Sequence, residues 1–429
     1  MKPHTTFVLV LSAALIGAVL ALSGLVSLPE VLAGIPWGIL VIFVSLDIFT
    51  QLIVRTGIME VLAIRLLRFS HGRKVAVLFL FGILLFAVSS LLNNLTAVMV
   101  ILPVTFLILG GMRLNRGFVA ALFALILAAS NIGGAATPIG DFPAILIMTS
   151  GLTTFHDYLF QAWPLFAVTM LAVIAFHVLN HRLVNRWKIR SKNREERERR
   201  VEELIEHYKE QSVDRPLFRR LAIIFAAMFV AWIVFPATRV PPEIPALVGL
   251  ALGIIFTHRL RGVDSLGGYV LTPVFAIGSF LFIASLAANT GILEWTAAAL
   301  RDNIAEPRSL LLAVMALTAV LTGIFSAGPT AAAMLPVLQA VSGPGSALAG
   351  FRSELAVAFA ASICAGSSLF VWSATAGFVL LDKFKLADLR DRQGTSLACG
   401  VSTYLRYGVI HFIIQLGLGI AWALMFIPL

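Results

Sequence analysis

Charge is what this chain has least of. Only 13% of its 429 residues are Asp, Glu, Lys or Arg, about half the share of an ordinary soluble domain. A water-soluble fold of this length could not cover itself with so little. Cysteine is nearly absent as well. Cys364 and Cys399 stand alone, which excludes a disulfide framework and any cysteine metal spacing. Also missing are a nucleophile–base pair, a zinc-ligand spacing and a phosphate-cradling glycine loop, so an enzyme reading has no residues to rest on, and no cofactor is expected. What is abundant is apolar sequence: 59% of residues are hydrophobic and mean hydropathy is +0.95. Residues 6–29, 75–112, 309–351, 355–381 and 407–429 contain no charged side chain. A helix needs about 20 apolar residues to cross a bilayer, so the chain is expected to be an all-α integral membrane protein with lipid as its main partner.

The first apolar run is longer than a signal-peptide core, and a second run at 31–46 follows closely, so a retained first span is expected. Spans are expected at 6–28, 35–54, 117–150, 160–181, 220–237, 243–258, 268–289, 355–381 and 405–427. The runs 74–110 and 309–341 are too long for one crossing, and each carries a small or polar break. Both are expected to be re-entrant hairpins, a backbone path allowed at that depth only inside protein. The net charge of +10 does not imply nucleic acid. Residues 182–220 hold 13 Lys/Arg against 8 Asp/Glu, the mark of a cytoplasmic linker, here 183–219, under the positive-inside rule. With that side inside, only Arg239, Arg301, Arg308 and Arg352 fall outside.

The chain repeats itself. Thr56-Gly57-Ile58-Met59-Glu60 returns as Thr290-Gly291-Ile292-Leu293-Glu294. Asn93-Asn94-Leu95-Thr96-Ala97 aligns with Ala327-Gly328-Pro329-Thr330-Ala331, and Ser130–Ala136 with Ser362–Ser368. The repeats are expected at 1–182 and 238–429, each with a hairpin and a broken helix (117–150 and 355–381). The span at 220–237 has no counterpart in the first repeat, so the second would enter from the opposite face, an inverted repeat with its site at the midplane. Amphipathic segments 57–69 and 292–303 are expected to lie along the interface.

The segment Ser130–Pro143 holds three glycines, two prolines and an acid inside a span. Glycine and proline weaken a helix, so unwinding is expected near Gly133–Gly140. Asp141, an acid at membrane depth, is a functional candidate by default, and a helix cap is its simpler role. Asn131 and Thr137 offer neutral oxygens, with backbone at Gly133 and Gly134. Asn93, Asn94 and Thr96 sit at the first hairpin tip. The second half offers no amide or acid there, only Thr330 and then the hydroxyls Ser367 and Ser368. Asp47 is expected to pair with an arginine such as Arg55. His177 and His411, which fall in the closing spans, titrate near neutrality when unperturbed, although such histidines more often serve packing.

These motifs resemble the ion transporter superfamily, which includes the arsenite permease ArsB, NhaD-type sodium/proton antiporters and divalent anion symporters. Asn131-Ile132-Gly133-Gly134 followed by Pro138-Ile139-Gly140-Asp141 is similar to the antiporter and permease branches. The ending Gly140-Asp141-Phe142-Pro143, with Gly328-Pro329-Thr330-Ala331-Ala332-Ala333 and Ser373-Ala374-Thr375-Ala376-Gly377 in the second half, is similar to the magnetosome-membrane branch, MamN. The resemblance implies a secondary ion transporter, working by an elevator-type movement and assembled as a homodimer, in a bacterial inner membrane or one derived from it such as the magnetosome. It implies ion or substrate ligands at Asn93, Asn94, Thr96, Asn131, Thr137, Asp141, Thr330, Ser367 and Ser368. A sodium site would draw on Asn93, Asn131 and Asp141, with Na+ or H+ as coupling ion. An anion permease for arsenite or a carboxylate, or a non-transporting assembly protein that keeps the fold, are the alternatives.

Overall fold

The computed structural model describes residues 3–70, 73–111, 116–185, 213–234, 240–257, 267–374, 376–387, 389, 396–397 and 399–428. All its described elements are helical, as expected where no water can satisfy a strand edge or open loop. The first stretch comprises α1 (Pro3–Leu22), α2 (Leu28–Ala33), α3 (Trp37–Val54), α4 (Ile58–Ser70), α5 (Lys74–Ser89), α6 (Asn94–Gly111), α7 (Arg116–Ala136), α8 (Phe142–Thr149) and α9 (Phe155–Asn185). Then follow α10 (Arg215–Val234), α11 (Glu243–Thr257), α12 (Gly267–Asn289), α13 (Ile292–Asn303), α14 (Pro307–Phe325), α15 (Ala327–Val341), α16 (Arg352–Ser367), α17 (Gly377–Leu386) and α18 (Val401–Phe426). Most of the linker at 183–219 lies outside the described residues.

Among the described residues six helices are long and apolar enough to cross a membrane: α3, α7, α9, α10, α14 and α18. A seventh arises if the end of α12 and α13, bent by 64° at residues 290–291, count as one span. The protein is a multi-pass membrane protein. Its first helix ends earlier than the apolar run. Gly24 adopts φ +75, a left-handed turn that glycine takes without strain, and Pro29 then opens α2. At the second hairpin α14 is long enough to cross by itself, whereas α5 has only 16 residues.

Packing follows the same scheme in both stretches. α5 packs on α7 and α14 on α16; α7 lies on α9 and α16 on α18; α4 lies on α6 and α13 on α15. α3 packs against α11, and α1 against α12. Nearly every described side chain of α7 is buried, so this helix forms the centre of the molecule. α10 and α18 bury a stripe each and turn Ile223, Val230, Ile413 and Met425 outward, the pattern of a helix facing lipid rather than water.

α7 does not unwind at its glycines. It stays helical through Gly133 and Gly134 and stops at Ala136. The reason is packing: a Cβ at Gly133 would sit 2.5 Å from the Phe86 carbonyl oxygen and 2.9 Å from Ser89 Cβ. Gly366 does the same in α16, where an added methyl would collide with the Ala319 carbonyl and Thr322 of α14. The glycines bring two backbones together, and the break falls after them.

Candidate ion site

The first break spans residues 137–141, between α7 and α8. Thr137 anchors it by donating its hydroxyl to the Ser90 carbonyl in the turn between α5 and α6. Asp141 ends it in extended conformation (φ −150, ψ 162), and Oδ1 accepts from the Phe142 amide at 2.8 Å. A carboxylate is favoured at the positive end of a helix, and Pro143 in the first turn costs α8 no hydrogen bond. Oδ2 accepts from Asn94 Nδ2 at 2.9 Å. Both oxygens are thus held by donors, one from the backbone and one from the first residue of α6. Asn94 Oδ1 is buried with no partner among the described residues.

Asn131 lies on the same helix, two turns before the break. Its Nδ2 donates to the Ser367 carbonyl at 3.1 Å, with Ser368 Oγ at 3.4 Å. Ser367 is the last residue of α16, so this amide joins α7 to the end of α16. Between them is a cavity of about 20 Å³, lined by Asn131, Ala135, Asp141, Pro143, Ala144, Tyr158, Ala360, Ile363, Cys364 and Ser367. That is room for about one water molecule. Its lining includes one carboxylate and no basic side chain, with amide and hydroxyl groups opposite. Oxygen ligands of this kind suit hard cations. Among the described residues no three His, Cys, Asp or Glu side chains converge to hold a metal, and the donor set is not that of a transition-metal centre.

The remaining candidates are distributed more widely. Asn93 turns its Oδ1 back to the Leu95 amide at 2.9 Å and caps α6; it does not line the cavity. Thr96 donates to Asp47 Oδ1 at 3.2 Å, tying α6 to α3. Gly134 lies against the carboxylate, a Cβ there being 3.0 Å from Asp141 Cβ. Ser368 Oγ faces Gln415 Oε1 at 3.3 Å. Thr330 is buried on α15, its hydroxyl without a partner among the described residues. It follows the second hairpin tip, where Ser326 holds φ 93 and ψ 157, a region glycine alone enters freely.

Several site residues carry little signal in sequence. Tyr158 on α9 donates its hydroxyl to the Ala135 carbonyl at 2.8 Å and lines the cavity. Cys364 Sγ lies 3.2 Å from Gln415 Oε1, and Tyr404 donates to the Ser368 carbonyl at 2.7 Å. The α16 side of the cavity is therefore backed by a polar network from α18. Gln415, a lone amide in a closing span, was the available clue.

The chain is similar in sequence to known membrane proteins. The chain is 28% identical over 310 residues to an uncharacterized transporter of Mycobacterium tuberculosis, covering 71% of this chain and 69% of that protein. It is 25% identical over 368 residues to the magnetosome protein MamN of Paramagnetospirillum magneticum, covering 84% and 80%. A 46 kDa membrane protein of Mycobacterium leprae is 27% identical over 311 residues, covering 71% and 69%. The family profile described as citrate transporter (CitMHS) matches residues 5–365, most of the chain, and the protein belongs to that family of membrane transporters.

Proposed function

We propose that the protein is a secondary active ion transporter that exchanges a small cation, Na+ foremost, for a proton, with Asp141 holding each in turn. The observation that carries this reading is the cavity: a single carboxylate, neutral oxygens opposite, no basic lining residue, and space for about one small ion. A carboxylate shut away from water is costly unless a positive partner accompanies it. Na+ or H+ can serve, but both cannot occupy the same carboxylate. Competition for one site, with the empty charged form disfavoured, gives exchange.

In this reading the halves are inverted repeats, with α10 the unmatched span that reverses the second. α5–α9 and α14–α18 form a moving unit whose hairpins re-enter on opposite sides. α1–α3 and α10–α12 form a scaffold that pairs with a second copy in a homodimer. α4 and α13 connect the two, each packed on a hairpin helix. The host is a bacterial inner membrane or an internal membrane derived from it.

The test is ion flux through purified protein in proteoliposomes under an imposed pH gradient. Na+-dependent proton movement that Asp141→Asn abolishes, with the variant still folded, is the expected result; undiminished exchange in that variant would sink the reading. The family description favours a second reading, a permease for a carboxylate such as citrate. No lysine or arginine lines the cavity to receive such an anion. Citrate or arsenite flux without any coupled cation movement would establish it.

A further inference from the structure

The closing helices α9 and α18 pack on each other, and each carries one buried histidine facing the other half. His177 and His411 are 234 positions apart, the same interval as Thr56–Glu60 to Thr290–Glu294. Both are fully buried, and their Nε2 atoms stand 2.9 Å apart. Both Nδ1 atoms lack a partner among the described residues. The Tyr407 ring stacks on His177 at 5.4 Å, and Phe176 sets its edge to His411 at 6.1 Å. Neither histidine lines the cavity.

A separation of 2.9 Å is a hydrogen-bond length, so one proton must lie between the two Nε2 atoms. In the neutral pair one ring donates from Nε2 and the other accepts there, carrying its own proton on Nδ1. One further proton can be added at the free Nδ1 without moving either ring, and the central proton is then shared by two equivalent imidazoles. A fourth proton would set two N–H groups against each other at 2.9 Å, which the geometry forbids. We propose that His177 and His411 form a proton-binding site, separate from the cavity, that takes up one proton between the closing helices and makes the α9–α18 contact pH-sensitive.

The surroundings fit a site that answers to protons rather than to a neighbouring acid. On α18 the pair meets Tyr407, and one turn beyond His411 stands Gln415, bonded to Cys364 of α16. Besides Cys364, the other titratable groups described on the packed helices lie within their first two turns: Lys74 on α5, Arg116 on α7, Arg308 on α14, Arg352 and Glu354 on α16, Arg215, Arg219 and Arg220 on α10, His156, Asp157 and Tyr158 on α9, and Tyr404 and Arg406 on α18. On α9, His181 and Arg182 follow His177, with side chains outside the described set. The Tyr407 face stacked on His177 is the one aromatic face shown beside the pair that can support the added positive charge.

The experiment uses the full chain in nanodiscs. Histidine C2 hydrogen–deuterium exchange, read by mass spectrometry across a pH series on the wild type, should give His177 and His411 one common midpoint, because the proton belongs to the pair. Proton uptake should fall by about one proton per chain in His177→Gln and equally in His411→Gln, with no further loss in the double variant. Two unrelated midpoints, no titration at either ring, or losses that add in the double variant would overturn the proposal. Should the glutamine variants fail to fold, the wild-type exchange profile decides. Asp141→Asn should leave the shared midpoint in place, so failure of the antiport reading and failure of this one are told apart.

Discussion

The two broken helices use the same packing and different chemistry. α7 and α16 each press a glycine onto the backbone of a hairpin helix, Gly133 on Phe86 and Gly366 on Ala319. Beyond that point they diverge. The first break is five residues long and ends in a carboxylate that takes donors from Phe142 and Asn94. The second follows Ser367, has a 3-10 turn at Val371–Ser373 among its described residues, and turns two hydroxyls onto neighbours: Ser373 donates to the Gly323 carbonyl, and Ser368 faces Gln415. Charge is concentrated in one half, and the other presents backbone and neutral oxygen. The two stretches share this packing, while of the two breaks the first alone carries a carboxylate in its sequence.

The largest expected effect tests that division directly. Asp141→Asn keeps a good N-cap for α8, since Asn and Asp cap about equally well, but cannot alternate between Na+ and H+. Exchange in proteoliposomes should drop to the level of empty vesicles while the elution profile and thermal midpoint stay near wild type. Next comes the donor to that carboxylate. Asn94→Ala leaves Oδ2 without its bond, and a hydrogen bond to a charged group is worth about 1.5–3 kcal/mol. The cation concentration for half-maximal exchange should shift by roughly tenfold or more, read from the same flux assay. If Asn94→Ala behaves like wild type, the first half is not the charged one in function.

Packing should be symmetrical where chemistry is not. Gly133→Ala and Gly366→Ala each force a methyl into a neighbouring backbone, and overpacking costs about 1–3 kcal/mol. Both variants should lose thermal stability by similar amounts in detergent. A large loss at one glycine and none at the other would break the comparison at its structural level.

How far the sequence carries is visible residue by residue. Gly140 closes on the Gly134 and Ser89 backbones, whereas Pro138, Asp141 and Pro143 act locally, on φ angles and helix termini, so the break expected over Gly133–Gly140 and found at 137–141 was legible in part from composition. Gly133 and Gly134 were not, because helix propensity marked them as breakers while contact with α5 kept them helical. Asn131 reaches Ser367 across 236 positions, a pairing that depends on how the halves dock and has no local signature. Asn93 and Asn94 are adjacent and alike in sequence, yet one caps its own helix and the other holds Asp141; one residue of helical rotation separates the two roles. His177 and His411 each looked solitary until α9 and α18 were placed together.

The smallest effect asks whether the second half contributes an ion ligand at all. Thr330 is 3% exposed, and its hydroxyl has no partner among the described residues. A buried hydroxyl left unsatisfied costs about 1–3 kcal/mol relative to one that is bonded, so its replacement by an apolar side chain of the same shape should not reduce stability. Thr330→Val is therefore expected to hold or slightly raise the thermal midpoint. If the hydroxyl meets the ion when the halves move, cation affinity should weaken about fivefold, equivalent to roughly 1 kcal/mol, with maximal exchange unchanged. A variant with unaltered affinity would confine every ion ligand to the first half and the edge of α16, leaving α15 as the surface against which Phe142 and Phe280 pack at Gly328.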